Sequence, residues 1–198
     1  MPAIPIAIII LAAGSSSRLG RPKQLLEYRG QTLIRRVVRS AVGANLGPII
    51  LIISSELSDA VREQITEEPV EIVENAERET GLSSSICAGL SFALRKMPDL
   101  SAVILALCDQ PQITSDTFLK LADVYRRERK PVVASEYSAT VGVPALFDRS
   151  MFDELLTLRG DRGAKSLILA RIRDIGRIEA PEAAFDVDSI EDLERNEV

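Results

Sequence analysis

Apolar residues along this chain follow two spacings. Unbroken apolar runs at 8–11, 49–53 and 102–107 predict strands covered on both faces, as in a parallel sheet. Shorter runs at 70–73, 131–134 and 175–180 predict three more strands. Between the runs, apolar positions recur every three or four residues. In 31–46 they are Leu33, Ile34, Val37, Val38, Ala41 and Val42, and Gly47-Pro48 closes the segment. Segments 56–67, 84–97 and 115–129 also read as helices. Ile86, Leu90, Ala93 and Leu94 share one face of the second of these, and Phe118, Leu119, Ala122 and Tyr125 one face of the third. Ser150 is placed to cap a further helix through Leu158. The polar stretch 135–141 reads as a loop or an edge hairpin. Strands and helices alternate without an internal repeat or a low-complexity linker. The expected fold is α/β: one domain over residues 1–198, a three-layer αβα sandwich on a doubly wound, mostly parallel sheet.

The chemistry concentrates in 8–26. The first apolar run passes into Ala12-Ala13-Gly14-Ser15-Ser16-Ser17, whose small side chains let main chain approach a ligand, and Arg18 and Lys23 add positive charge beyond it. Strand, bare loop and nearby cations suit a polyphosphate. Two familiar phosphate loops do not fit. A P-loop needs four residues between its glycines and Lys-Ser/Thr after the second; here five residues separate Gly14 from Gly20, and Arg21-Pro22 follow. A dinucleotide loop needs glycine where Ser16 stands, which disfavours a nicotinamide-dependent oxidoreductase. An ordinary serine-rich turn from strand to helix would leave the same local pattern.

Three later stretches carry polar groups. Asp109 follows the run at 102–107, at the carboxyl end of a strand, where open α/β sheets bind ligands; it is also placed to start a turn before Pro111. Gly81-Leu82-Ser83-Ser84-Ser85 precedes a helix and offers hydroxyls and free N–H groups, or simple caps. Gly160-Asp161-Arg162-Gly163-Ala164-Lys165 is a tight turn entering a helix, suited to an anion or to a charged surface. Near the end, Ser189 and Asp192 have the spacing of a capping box.

Composition narrows the classes. Aromatics make up 4% and tryptophan is absent, so the core is aliphatic and no stacking platform for single-stranded nucleic acid is expected. The net charge of -5 and the lack of a basic block argue against nucleic acid as a partner. An acidic chain still binds anions where cations are focused or a metal mediates. Histidine is absent, which excludes histidine bases, triads and metal ligands. Cys87 and Cys108 sit in apolar surroundings without redox or metal spacing and read as buried thiols of a reducing compartment. No stretch reaches membrane-spanning length, and the first apolar run lacks a basic flank. A cytoplasmic protein with no membrane partner is expected.

Leu11-Ala12-Ala13-Gly14 followed by Ser16, Arg18, Gly20 and Lys23 resembles the signature of MobA-like nucleotidyltransferases, which share the fold of nucleotide-diphospho-sugar transferases. More narrowly it resembles the MocA-type molybdenum cofactor cytidylyltransferase branch, because Ala13 stands where the guanylyltransferase branch usually has glycine. The resemblance runs through most of the chain in the same order. It implies nucleotide contacts at Leu11, Ala12, Ala13, Gly14, Ser15, Ser16, Lys23, Gly81, Ser84, Ser85 and Asp109. It gives catalytic roles to Arg18, Lys23 and Asp109, and it gives Mg²⁺ or Mn²⁺ to Asp109 and Asp188, with Asp186 beside them. It places the acceptor near Gly142, Pro144, Gly160, Asp161 and Gly163.

The reaction so implied moves a nucleoside monophosphate, CMP from CTP by preference, onto the phosphate of molybdopterin, with pyrophosphate leaving. A phosphate monoester is largely dianionic at neutral pH, so the nucleophile needs no general base and the missing histidine is no obstacle. Alternatives are GTP or another NTP as donor, a sugar phosphate or other cofactor precursor as acceptor, delivery of the cofactor to a recipient molybdoenzyme, and an inactive nucleotide sensor. Intact Lys23 and Asp109 weigh against the last.

Overall fold

The structure, a computed structural model, describes residues 4–14, 21–189 and 191–193. Seven strands form its main sheet: β1 (Ile6–Leu11), β4 (Ile49–Ile53), β5 (Val70–Glu74), β6 (Ala102–Leu107), β7 (Val132–Tyr137), β8 (Thr140–Asp148) and β9 (Gly176–Glu179). A small ribbon pairs β2 (Glu27–Tyr28) with β3 (Gln31–Thr32). The helices are α1 (Leu33–Ala44), α2 (Ser58–Gln64), α3 (Leu82–Lys96), α4 (Ser115–Glu128), α5 (Phe152–Thr157) and α6 (Lys165–Ala170). The order across the sheet is β5-β4-β1-β6-β8-β7-β9, and only β8 runs antiparallel to its neighbours. This is the expected doubly wound αβα architecture.

The central strand shows why continuous apolar runs were required. Ile6, Ile8 and Ile10 of β1 pack into one core with α1 and α4, while Ala7, Ile9 and Leu11 pack into the other with α3, α5 and α6. Burying each isoleucine contributes about 1.5–3 kcal/mol relative to exposure. The chain winds from β1 outward through β4 to β5, then returns to place β6 on the other side of β1. The order therefore reverses between β1 and β6, and in open α/β sheets ligands bind outside the strand ends at such a point. Gly89 sets how closely α3 packs: a Cβ there would lie 2.6 Å from the Ile9 side chain, so glycine lets α3 settle directly on β1.

Local differences from the sequence reading have physical causes. Of the two readings of 135–141 the hairpin is the one formed, by β7 and β8, but it lies inside the sheet because β7 also pairs with β9; its turn residues, Ser138 and Ala139, have φ of 48° and 58°. Two left-handed residues match a turn that follows the right-handed strand twist, here without the glycine that usually marks it. Ser150 does not cap the next helix; the Asp148 carboxylate accepts from the Ser150 N–H at 2.9 Å, and α5 starts at Phe152. Leu119 does not face inward and is 37% exposed, while Leu121 and Val124 join Phe118, Ala122 and Tyr125 in the core. Cys108 is buried, but Cys87 is only half-buried. Among the described residues, no helix is long and apolar enough to cross a membrane.

Candidate functional site

Leu11-Ala12-Ala13-Gly14 leaves the end of β1 beside Cys108-Asp109 at the end of β6. Together with Lys23, Gln24, Leu82, Ser85 and Leu107 they line a cavity of about 250 Å³. A larger cleft of about 760 Å³ lies between α4 and β9, and none of the sequence-derived site residues line it. Size is the weaker guide here, because the smaller cavity is the one at the switch point and the one with convergent charge.

The cavity's floor is main chain held from behind. The Gln24 amide donates to the carbonyls of Ala12 at 2.6 Å and Gly14 at 3.1 Å. Gln24 is buried, so these bonds keep two loop carbonyls turned inward. The sequence reading passed over Gln24, and nothing local marks a glutamine as buried. Ser15, Ser16 and Arg18 lie outside the described residues.

One wall is the start of α3. Its serines do not act as caps. Ser83 Oγ donates to the carbonyl of Gly160 at 2.7 Å, and Ser84 Oγ donates to that of Gly81 at 2.8 Å. The buried Asn75 gathers the next two hydroxyls: its Nδ2 donates to Ser84 Oγ at 2.8 Å and Ser85 Oγ at 2.9 Å, while its Oδ1 accepts from the Glu77 N–H. Asn75 was also missed, although it sits at a strand end, where ligands gather in this architecture. Gly81 allows the wall to exist: with φ of +102°, its Cβ position would lie 2.4 Å from the Gly160 carbonyl carbon.

The charges meet opposite that wall. Lys23 Nζ lies 3.1 Å from Asp109 Oδ2 and 2.9 Å from Asp188 Oδ1, joining residues from a short 3-10 turn, the end of β6 and the C-terminal stretch. Burial pulls the Lys23 pKa down, but the charges of and hydrogen bonds from Asp109 and Asp188 outweigh it, and the net shift is upward. The ammonium is thus held in its charged form. Asp186 is pushed up to about 6, by burial first and then by the neighbouring charge of Asp109. The expected capping box is present, with the Ser189 N–H on Asp192 Oδ2 at 2.8 Å and the Asp192 N–H on Ser189 Oγ at 3.3 Å. It fixes the turn carrying Asp188.

These groups fit a divalent ion shared with a polyphosphate. Asp109 Oδ1 is buried and has no hydrogen-bond partner among the described residues, so one oxygen at the strand end is unsatisfied. No group of three or more acids, cysteines or histidines able to hold a metal occurs among the described residues. Two carboxylates, with water and phosphate oxygens completing the shell, are what magnesium commonly takes.

The acceptor candidates are more scattered. Gly142 and Pro144 are buried within β8, and the Tyr137 hydroxyl lies against Gly142. Gln110 links this strand to the C-terminal stretch, donating to the Val143 carbonyl at 3.2 Å and the Ala183 carbonyl at 2.9 Å. Gly160 and Asp161 are exposed and Gly163 half-buried, against the start of α3, where Gly160 accepts from Ser83 and Gly163 packs beside Leu82; Gly160 lines a separate cavity with Ser83, Ser84 and Asn75. None of the five lines the 250 Å³ cavity.

Comparison with known proteins gives a matching picture. The family model of the MobA-like NTP transferase domain matches residues 8–175. The chain is 28% identical to Nicotine blue oxidoreductase of Paenarthrobacter nicotinovorans, with 94% of each chain covered. It is 27% identical to the probable molybdenum cofactor guanylyltransferase of Opitutus terrae, covering 85% of this chain and 80% of that one. Among solved structures it superposes on Rv0371c from Mycobacterium tuberculosis H37Rv with a TM-score of 0.82, 30% identity and 98% of each chain covered. A manganese complex of Rv0371C superposes with a TM-score of 0.75, at 30% identity, covering 98% of this chain and 97% of that one.

Proposed function

The chain belongs to the MobA-like NTP transferase domain family, and from that premise we propose that it transfers CMP from CTP to the phosphate of molybdopterin. That it is a nucleotidyltransferase follows from the family; donor and acceptor are the proposal. The observation that carries the site is the convergence of Lys23, Asp109 and Asp188 at the reversal of strand order.

In this reading the triphosphate lies across 11–14, with its charge met by Lys23, while Ser85 faces the nucleoside from the α3 wall and Ser84, held by the same Asn75 amide, stands behind it. Arg18 adds a second cation. The acceptor's phosphate oxygen forms a bond to the α-phosphorus as the bond to the pyrophosphate oxygen breaks, and the electron pair leaves with pyrophosphate. Relief of anionic repulsion and alignment do the catalysis. Asp109 and Asp188 would hold magnesium or manganese, which would supply charge neutralisation at the phosphates. Ala13 in place of a glycine supports CTP over GTP. The guanylyltransferase relative supports the molybdopterin acceptor.

A second reading follows from the relative named as an oxidoreductase, which matches nearly the whole chain. One experiment separates the two. Pyrophosphate release is measured from each NTP with magnesium, with and without molybdopterin, alongside oxidation of reduced nicotinamide with nicotine blue supplied as the electron acceptor. Release that requires both CTP and molybdopterin supports the proposal. Release only with another donor or a sugar phosphate replaces its substrates, and nicotinamide oxidation without release replaces the reaction.

A further inference from the structure

Lys23 stands where the preceding reading needs a divalent ion. Its ammonium touches one oxygen of Asp109 and one of Asp188, at 3.1 and 2.9 Å. A divalent ion drawn to these two carboxylates meets an ammonium already bonded to both, and the two cations repel across that short distance. The second Asp109 oxygen, buried and without a partner among the described residues, is the acceptor that Lys23 leaves unsatisfied.

We propose that Lys23 is a resident counter-ion that keeps the metal site closed until a triphosphate draws its ammonium away. The inference rests on the reading of Asp109 and Asp188 as the metal's carboxylates. The side chain is built for both positions. Its backbone is fixed in the 3-10 turn Lys23–Leu25, while four flexible methylenes carry the charge. Its side chain is 16% exposed, and it also lines the cavity that would take the phosphates. With Lys23 between them, Asp109 and Asp188 are neutralised without a metal, and the nearby Asp186 feels less negative charge. An incoming triphosphate offers the ammonium a stronger anion, and its departure exposes both acids as the phosphate oxygens arrive. Metal and nucleotide therefore enter together, and metal alone binds weakly.

The test is Mn²⁺ binding to metal-free protein with no nucleotide present, read from the electron paramagnetic resonance signal of the unbound ion. Lys23→Gln is expected to bind Mn²⁺ more tightly than the wild type by on the order of tenfold, the scale on which groups around a metal move its affinity. Lys23→Met, which keeps the stem, serves as the second variant should the first unfold on melting. Arg21→Gln removes an exposed charge from the same segment and controls for long-range attraction; it is expected to stay near wild type. Lys23 variants no tighter than wild type, or an equal gain in Arg21→Gln, would overturn the proposal. Asp109→Asn in the Lys23→Gln background separates the two layers. If Mn²⁺ binding survives there undiminished, the two-acid metal reading fails. If it is lost while Lys23→Gln alone brings no gain, only the counter-ion role fails.

Discussion

The main-chain N–H of Val187 donates to the carbonyl of Asp109 at 2.9 Å. That bond ties the C-terminal stretch to the end of β6. Val187 is fully buried with Leu26, Tyr28, Leu33 and Leu193, while Asp186 and Asp188 on either side of it are exposed. Successive residues of an extended segment point opposite ways, so burying one valine presents two acids. The same anchor sets the distance between Asp188 and Asp109.

Val187→Ala therefore tests the anchor through function. Removing two buried methyl groups is expected to cost about 1–2 kcal/mol of stability. Turnover should fall as well, because Asp188 loses its fixed position although both carboxylates remain. The measurement is kcat/KM beside a thermal melt; normal kcat/KM in a destabilised variant would show that the anchor is only structural.

Asp109→Asn keeps the shape of the side chain and removes its charge. Turnover is expected to drop by about 10²–10³, the scale of losing one charge-stabilising group. Stability should fall only modestly: Lys23 loses one of its two carboxylate partners but keeps Asp188, and the buried oxygen that lacks a partner is no longer part of a charged carboxylate. Near-normal turnover would remove Asp109 from the site.

The sequence pattern exposed much of this architecture and part of the site. The apolar runs named the three central strands because two-sided burial leaves no room for polar residues. Asp109 was legible because it closes such a run. Gln24 and Asn75 were not, because their roles depend on carbonyls and hydroxyls brought near by folding. The hairpin at 135–141 stayed open beside a plain loop for a related reason: Ser138 and Ala139 take positive φ without glycine, so the neighbouring strands impose what the residues do not signal. Lys23 could be read as a cation near a phosphate, but its bridge between two acids joins parts of the chain that no local window contains.

Asp186 gives the metal-free protein a pH-dependent stability of definite sign. Its folded pKa is raised from 3.8 to about 6, by burial and then by the charge of Asp109. The folded state thus binds the proton more tightly than the unfolded chain, and stability falls as pH rises from about 4 to about 6. Water reaches the exposed side of Asp186, so the contribution is smaller than for an enclosed group shifted as far. Asp186→Asn should flatten that window. The check is chemical denaturation at stepped pH; an unchanged slope between the two proteins would exclude Asp186 as its source.

Gly81→Ala should damage the wall of the cavity. The new Cβ would lie 2.4 and 2.5 Å from the carbonyl carbon and oxygen of Gly160, and the backbone there has φ of +102°. Strain of this kind costs on the order of 1–3 kcal/mol, and the clash adds to it. Relief requires the loop at Gly160 to move off α3, which breaks the bonds from Ser83. A lowered melting temperature with weakened nucleotide binding is expected; an unchanged melt would show that the loop yields at no cost.

Asn75 tests whether the serine wall holds the nucleotide rather than the acceptor. Its amide donates to both Ser84 and Ser85, and its carbonyl oxygen accepts from Glu77, so one buried side chain uses both ends of its dipole. Asn75→Asp keeps the acceptor for Glu77 but turns the donor into a second acceptor facing two hydroxyls. Asn75→Ala removes both and leaves a small gap. Each is expected to lose about 1–3 kcal/mol of stability, the range for a broken buried hydrogen-bond set. Their kinetic effect should fall on the NTP: KM for the nucleotide rises while KM for the acceptor stays near wild type, because none of the acceptor candidates touches Asn75 through a hydrogen bond. Steady-state kinetics with each substrate varied in turn makes the check. A rise confined to the acceptor's KM would mean that the serine wall faces the other substrate.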